Sequence, residues 1–370
     1  MKKLIIESQF LYKYDEPEKG VTVGGTQRYA YEIGRMFKDL GWEIIYLTKA
    51  CKYFEGEFEG IGRIIAFECP RGTGGTFKFS KKVFEYSTNE KADLVCYSDI
   101  TVAYVQCYKK SFALQHGISW DNPMYGLKTL IHKYMYLKAA NKFDKIICVD
   151  TNFINWMREH SKKYFQHPES LVYVPNFADE ELFTYVYKEW EENEKFALLY
   201  PRRFVKHRGY DIFLDTCYKL YKHGYNIEVV IACEDFKRTQ FDKEYSKYKG
   251  MDVKVINPSM DEIAEVYKDA FLTFVPTKWS EGTSLSAIES IMSGCPVIVS
   301  DVGGLGNIVL PGMNGVIVPP TSDAFYNATI TLLKQPEIRN TMAKNCKLMG
   351  NVFGVKRWRK QLADVLKEMI

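Results

Sequence analysis

The sequence predicts an α/β protein of two domains, each a mostly parallel sheet covered on both faces by helices. Near-continuous apolar runs of strand length alternate with helical patterns along the whole chain, as expected of strands buried on both faces. The alternation restarts after residue 195, and 370 residues is long for a single core.

The first set of strands is expected at "KLIIES", "EIIYLT", "RIIAF", "DLVCYS", "FALQHG", "KIICVD" and "LVYVP". The second set is expected at "FALLYP", "IEVVIACE", "VKVIN", "FLTFVP", "PVIVSD" and "GVIVPP". A pseudo-repeat relates the halves. Gly25 opens a helix ending at Gly41 before "WEIIYL", and Gly209 opens one ending at Gly224 before "YNIEVVI"; glycine suits a helix stop. Residues 174–195 lose strand periodicity and gain charge. The expected division is therefore a first domain at 1–175, a linker at 176–195 and a second domain at 196–350. The amphipathic end, 351–370 with Trp358, is expected to pack back on the first domain.

Composition narrows the classes. The formal net charge is +4, which gives no support to nucleic acid as the main partner. Residues 71–145 hold 12 Lys/Arg against 6 Asp/Glu. That local excess fits a solvated surface, or a face turned to a membrane or an acidic acceptor. Nine cysteines without a C-x-x-C pair, several inside apolar runs, read as reduced core residues of a cytoplasmic protein. The apolar run of "MKKLIIES" is cut short by Glu7, so it is not expected to act as a signal peptide. The long weakly charged stretch 296–322 is broken by glycines and prolines, and no segment is expected to span a membrane.

Dinucleotide and nucleotide loops fit poorly. No G-x-G-x-x-G follows the first strand, and "GVTVGGT" has Thr26 where a P-loop needs lysine. The informative stretch is "WSEGTSLSAIESIMSG", residues 279–294. A helix starting near Thr283 puts Leu285, Ile288 and Met292 on one face, with Glu289 about 40° from Leu285 and so within the apolar stripe. Glu281 precedes the helix start, roughly 12 Å from Glu289. Two solvated helix glutamates would suffice to explain Glu281, but not a carboxylate on a face due for burial. The span suits a sugar nucleotide along a helix N-terminus. The free N–H groups of Gly282, Thr283, Ser284 and Leu285 would meet the diphosphate, and each carboxylate would accept from adjacent hydroxyls.

"EGTSLSAIESIMSGCPVIVSDVGG" resembles the E-x7-E signature and following strand of the retaining glycosyltransferases of family 4. "GGTQRYAYEIGRMFKDLGWEI", "PNFADEELF" and "RRFVKHRGYDIFLD" resemble that family's glycine loop, interdomain junction and basic segment, in the same order. The resemblance implies two facing Rossmann-like domains, the GT-B fold. It makes Glu289 the ribose-binding glutamate and Glu281 the one toward the donor sugar. Arg203 and Arg208 match the Arg and Lys that grip the donor diphosphate, where fixed cations stabilise leaving-group charge. Gly24 and Gly25 match the loop whose N–H groups approach that diphosphate. His116 of "LQHGISWD" matches a histidine near the sugar's reacting face, and Asp121 is an acceptor-side candidate.

The chain departs from the family at Arg202, where glycine is usual, at Arg208 for lysine, at Asn307 for glutamate, and in "IACEDF", which lacks glycines found near the nucleobase. The expectation is a cytoplasmic enzyme moving a sugar from a nucleoside-diphosphate sugar to a glycan or lipid-linked acceptor. It needs no metal or other cofactor and touches the inner face of the membrane through its first domain. The rivals are a sugar-nucleotide epimerase of the same fold and a non-catalytic donor-binding subunit. Base, sugar, acceptor, linkage and oligomeric state are unreadable.

Overall fold

The computed structural model describes every residue except 18–19, 21–23, 119, 124–125, 192–193, 234–240 and 243–244, and the side chains of 350–351. The chain divides into two units, Met1–Val174 with Arg359–Ile370, and Pro175–Trp358.

Unit one is built on β1 (Lys3–Glu7), β2 (Glu43–Ala50), β3 (Phe54–Phe58), β4 (Gly62–Glu68), β5 (Leu94–Tyr97), β6 (Ser111–Gln115), β7 (Ile146–Cys148) and β8 (Leu171–Tyr173). They form one sheet in the order β3-β4-β2-β1-β5-β6-β7-β8. Every expected strand is present, and their pairings are parallel. The exception is β3, which the sequence pattern missed and which pairs antiparallel with β4. Its sequence, FEGEF, has no apolar run because its middle three residues are exposed at the sheet edge. The helix Gly25–Asp39 packs Tyr29, Ala30, Ile33 and Phe37 inward. Gly41 then reverses the chain with φ 82°, which glycine adopts without steric cost.

Unit two carries β9 (Phe196–Tyr200), β10 (Ile227–Ala232), β11 (Val253–Ile256), β12 (Leu272–Val275), β13 (Val297–Ser300) and β14 (Gly315–Val318). The order is β11-β10-β9-β12-β13-β14, parallel throughout. The stretch expected as a linker groups with this unit, and Phe183 and Trp190 are buried in its two cores. The apolar payload of these rings explains the grouping, since burying one contributes about 2 kcal/mol. In the closing helix Val355–Leu366, Trp358 is fully buried, its ring 4.4 Å from that of Phe177. Beyond it, Arg359 pairs with Glu32 and Gln361 donates to the Tyr173 carbonyl, all within unit one.

Both sheets reverse direction once. In unit two the chain runs outward from β9 to β10 and β11, then returns to place β12 on the other side of β9. The crevice at the carboxyl ends of β9 and β12 is such a switch point, where ligands bind in open α/β sheets. The equivalent point in unit one lies between β1 and β5.

Candidate active site

Glu281 lies just beyond β12, at the switch point of unit two, and is buried. Ser280, immediately before it, holds φ 56°, an uncommon conformation for a non-glycine residue. Gly303 passes so close that a β-carbon there would sit 2.0 Å from the Glu281 carbonyl oxygen. The neighbouring Gly304 N–H donates to that oxygen at 2.9 Å. The backbone of Glu281 is therefore fixed before its side chain does anything.

Three donors converge on one carboxylate oxygen. Arg202 donates to Glu281 Oε2 at 2.7 Å, Arg208 at 2.5 Å and the Thr277 hydroxyl at 2.7 Å. Arg202 also donates to Thr277 Oγ1 at 2.7 Å, closing the cluster. Oε1 receives no bond among the described residues. Burial alone would push the carboxyl's pKa up, but Arg202 and Arg208 more than offset it and hold it at about 2. Glu281 is thus an anion at every physiological pH, with one oxygen clamped and the other available.

Arg208 reaches Glu281 from a short turn, Lys206–Arg208, that ends at Gly209 with φ 78°. A β-carbon at Gly209 would stand 1.8 Å from the Pro276 carbonyl oxygen, so only glycine fits this crossing. Arg203, by contrast, is exposed and has no ion pair among the described residues. Lys206 is exposed as well.

The helix spans Leu285–Met292, and Glu289 is buried on it beside Ala287, Ile288, Ile291 and Met292. The expected burial of a carboxylate is found, and one compensating donor is the Tyr267 hydroxyl, 3.0 Å from Oε2. At the helix start Ser284 provides no side-chain cap and its hydroxyl is buried without a partner among the described residues. The Thr283 hydroxyl accepts from the Asn176 N–H at 3.0 Å, while the Asn176 amide donates to the Thr283 carbonyl. This is what the "PNF" junction does locally: it pins the loop that carries Gly282 and Thr283.

The remaining candidates lie in unit one. His116 immediately follows β6, packs edge-on against Tyr29 at 5.0 Å, and has a buried Nε2 without a partner among the described residues. Burial lowers its pKa to about 4, so the ring is neutral at pH 7. It lines a hollow of about 200 Å³ with Thr26, Gln27, Ser98 and Asp99. A second hollow, of about 470 Å³, shares Gln9, Phe10, Asp99 and Tyr136 and adds Lys49, Thr76 and Thr101. Asp121 lines neither. Gly24 is extended, φ 175°, a conformation open to any residue, so its φ does not require glycine. Gly25 is the first residue of its helix, which has no acidic residue in its first turn. The "IACEDF" positions 234–236 lie outside the described residues.

Sequence reasoning overlooked Arg202, Thr277, Tyr267 and Asn176 as parts of this arrangement. Arg202 was marked only as a departure from glycine, and that departure was the available signal.

Residues 187–349, all within unit two, match the family model of glycosyl transferases group 1. Over 93% of this chain and 94% of the other, the sequence is 25% identical to an uncharacterized glycosyltransferase of Methanocaldococcus jannaschii. Among solved structures, sucrose-phosphate synthase from Thermosynechococcus elongatus superposes with a TM-score of 0.79 at 18% identity, covering 100% of this chain and 99% of that one. Anabaena HepE in complex with UDP-glucose superposes with a TM-score of 0.73 at 14% identity, covering 100% of both chains. The architecture of two Rossmann-like, parallel-sheet domains is that of the GT-B glycosyltransferases.

Proposed function

We propose that the chain is a retaining, metal-independent glycosyltransferase. It moves a hexosyl or deoxyhexosyl group from a nucleoside-diphosphate sugar to a glycan or lipid-linked acceptor, in surface polysaccharide or glycoconjugate assembly. The observation that carries this is the ionised Glu281, clamped on one oxygen by Arg202, Arg208 and Thr277 at a strand-end switch point, with Glu289 buried about one turn along the next helix. The family match and the UDP-glucose bound by the Anabaena relative support a nucleotide-sugar donor.

Each group then has a task. Glu289 accepts from the ribose hydroxyls, and the open Oε1 of Glu281 accepts from a hydroxyl of the transferred sugar. Arg203, exposed and unpaired among the described residues, and Arg208 hold the diphosphate with the N–H groups of Gly282, Thr283, Ser284 and Leu285. As the glycosidic bond breaks, charge grows on the leaving diphosphate and these fixed positive groups stabilise it. With Arg208 drawn to phosphate, Arg202 still offsets the charge of Glu281 and Thr277 still donates to it. The chain has no D-x-D element to carry a divalent ion. Retention follows if the acceptor enters on the leaving-group face and gives its proton to a donor phosphate oxygen. His116, neutral, serves as a hydrogen-bonding partner rather than an acid. The Gln9, Lys49 and Asp99 hollow provides donors and acceptors for a hydroxylated acceptor.

A panel of nucleotide sugars incubated with and without acceptors tests this. Acceptor-dependent release of nucleoside diphosphate is expected. Epimerised donor without acceptor, or binding without any turnover, would replace the proposal with one of its rivals.

A further inference from the structure

The helix Lys128–Ala140 is apolar on two sides. One side packs inward, with Ala139 and Ala140 in the core of unit one and Tyr136 and Leu137 against it. The other side is bare. Leu127 is 84% exposed, Leu130 65%, Ile131 60% and Tyr134 59%. Their spacing of three, four and seven residues sets them in a single stripe. No other α-helix among the described residues carries more than one exposed large apolar side chain.

The charges around this stripe have one sign. From residue 122 to residue 143 there is no aspartate or glutamate, and Lys128, Lys133, Lys138 and Lys142 are the only charged side chains. On the helical wheel Lys128 and Lys133 fall roughly 100° to either side of Leu127, and Lys138 extends the stripe itself. Lys142 is occupied, donating to the carbonyls of Ala103 and Tyr104. Lys138 holds its ammonium 5.0 Å from the Tyr104 ring, while Lys128 and Lys133 can lift theirs outward as their stems cover apolar surface.

We propose that this face docks unit one onto a lipid bilayer bearing anionic headgroups. The helix is 13 residues long, about 20 Å, which suits lying in the interface plane and is too short to cross the hydrocarbon. No helix among the described residues is long and apolar enough to span a membrane. An apolar stripe between lysines matches acyl chains flanked by phosphate groups, the arrangement that binds amphipathic helices to anionic membranes. A second copy on the same face would bring two rows of lysines together without an intervening acidic residue. The surface deepens the proposed function by placing the chain where lipid-linked acceptors reside, but its binding needs neither donor nor transfer.

The experiment is flotation of the full chain with vesicles of phosphatidylcholine alone or with 30% phosphatidylglycerol, alongside Leu130→Asp/Ile131→Asp and Lys128→Gln/Lys133→Gln. Folding is checked by circular dichroism and by transfer to a soluble acceptor, since none of the four substituted residues lines either hollow of unit one. The parent should float with the phosphatidylglycerol vesicles, and the Asp pair should lower that partition at least tenfold. The Gln pair should weaken it and flatten its salt dependence. Equal partition by the parent and the Asp pair would overturn the proposal. So would a parent that ignores both vesicles and sediments as a dimer that the Asp pair dissolves. Because transfer is measured apart from flotation, failure of membrane binding and failure of the transferase reading are distinguishable.

Discussion

Glu281 shows how one residue's chemistry is set by its neighbours. Its carboxyl titrates near 4.5 when solvated and at about 2 in the folded chain. A depressed carboxyl contributes stability that is fully present above pH 4.5 and is lost as the pH falls through 2. The stability gap between the parent and Glu281→Gln should therefore be constant above pH 5 and close steadily below 4.5, as read from denaturant midpoints. Arg202→Ala should cost about 3 kcal/mol, the scale of removing one partner from a buried ion pair, and by raising the folded carboxyl's pKa it should make that acid loss smaller and end it at a higher pH. The double variant Arg202→Met/Glu281→Leu should recover much of the stability, because apolar replacement leaves no buried charge uncompensated. A double variant no more stable than Arg202→Ala would show that the cluster is not the seat of the effect. For transfer, Arg203→Ala and Arg208→Ala should each slow turnover on the order of a hundredfold, and Arg208→Lys should retain much of it. Parental rates from both alanine variants would put the diphosphate elsewhere.

At the scale of elements, local signals were legible wherever burial and periodicity agree. The thirteen apolar runs all became strands, and the helix carrying Glu289 buried that residue as its wheel position required. The edge strand β3 escaped because exposure removes the pattern that marks a strand. What joins elements was not legible. Arg202 meets Glu281 across 79 residues, and Asn176 meets Thr283 across 107; no periodicity encodes such pairs. Gly209 is the exception, a local signal with a long-range reason, since its left-handed φ and its contact with Pro276 bring the basic turn against β12. Gly209→Ala should lower stability by at least about 2 kcal/mol, combining strain at positive φ with a backbone clash. It should also slow transfer by displacing Arg208. An unchanged urea midpoint would mean the turn relaxes freely.

For the whole molecule, the fold was the most readable level, because two sets of parallel strands and a glycine-marked repeat survive in sequence order. The expected linker was misjudged for a physical reason: its charged surface hides Phe183 and Trp190, which belong to the cores of unit two. The central claim is that fixed cations and a helix N-terminus, rather than a metal ion, stabilise a departing nucleoside diphosphate while the sugar keeps its configuration. The most direct measurement is transfer after exhaustive chelation, using the nucleotide sugar selected by the donor panel, with the product's anomeric configuration read by NMR. The account predicts full activity with retention, and loss of that activity in Arg208→Ala. Activity abolished by chelator and restored only by magnesium or manganese, or a product of inverted configuration, would contradict it.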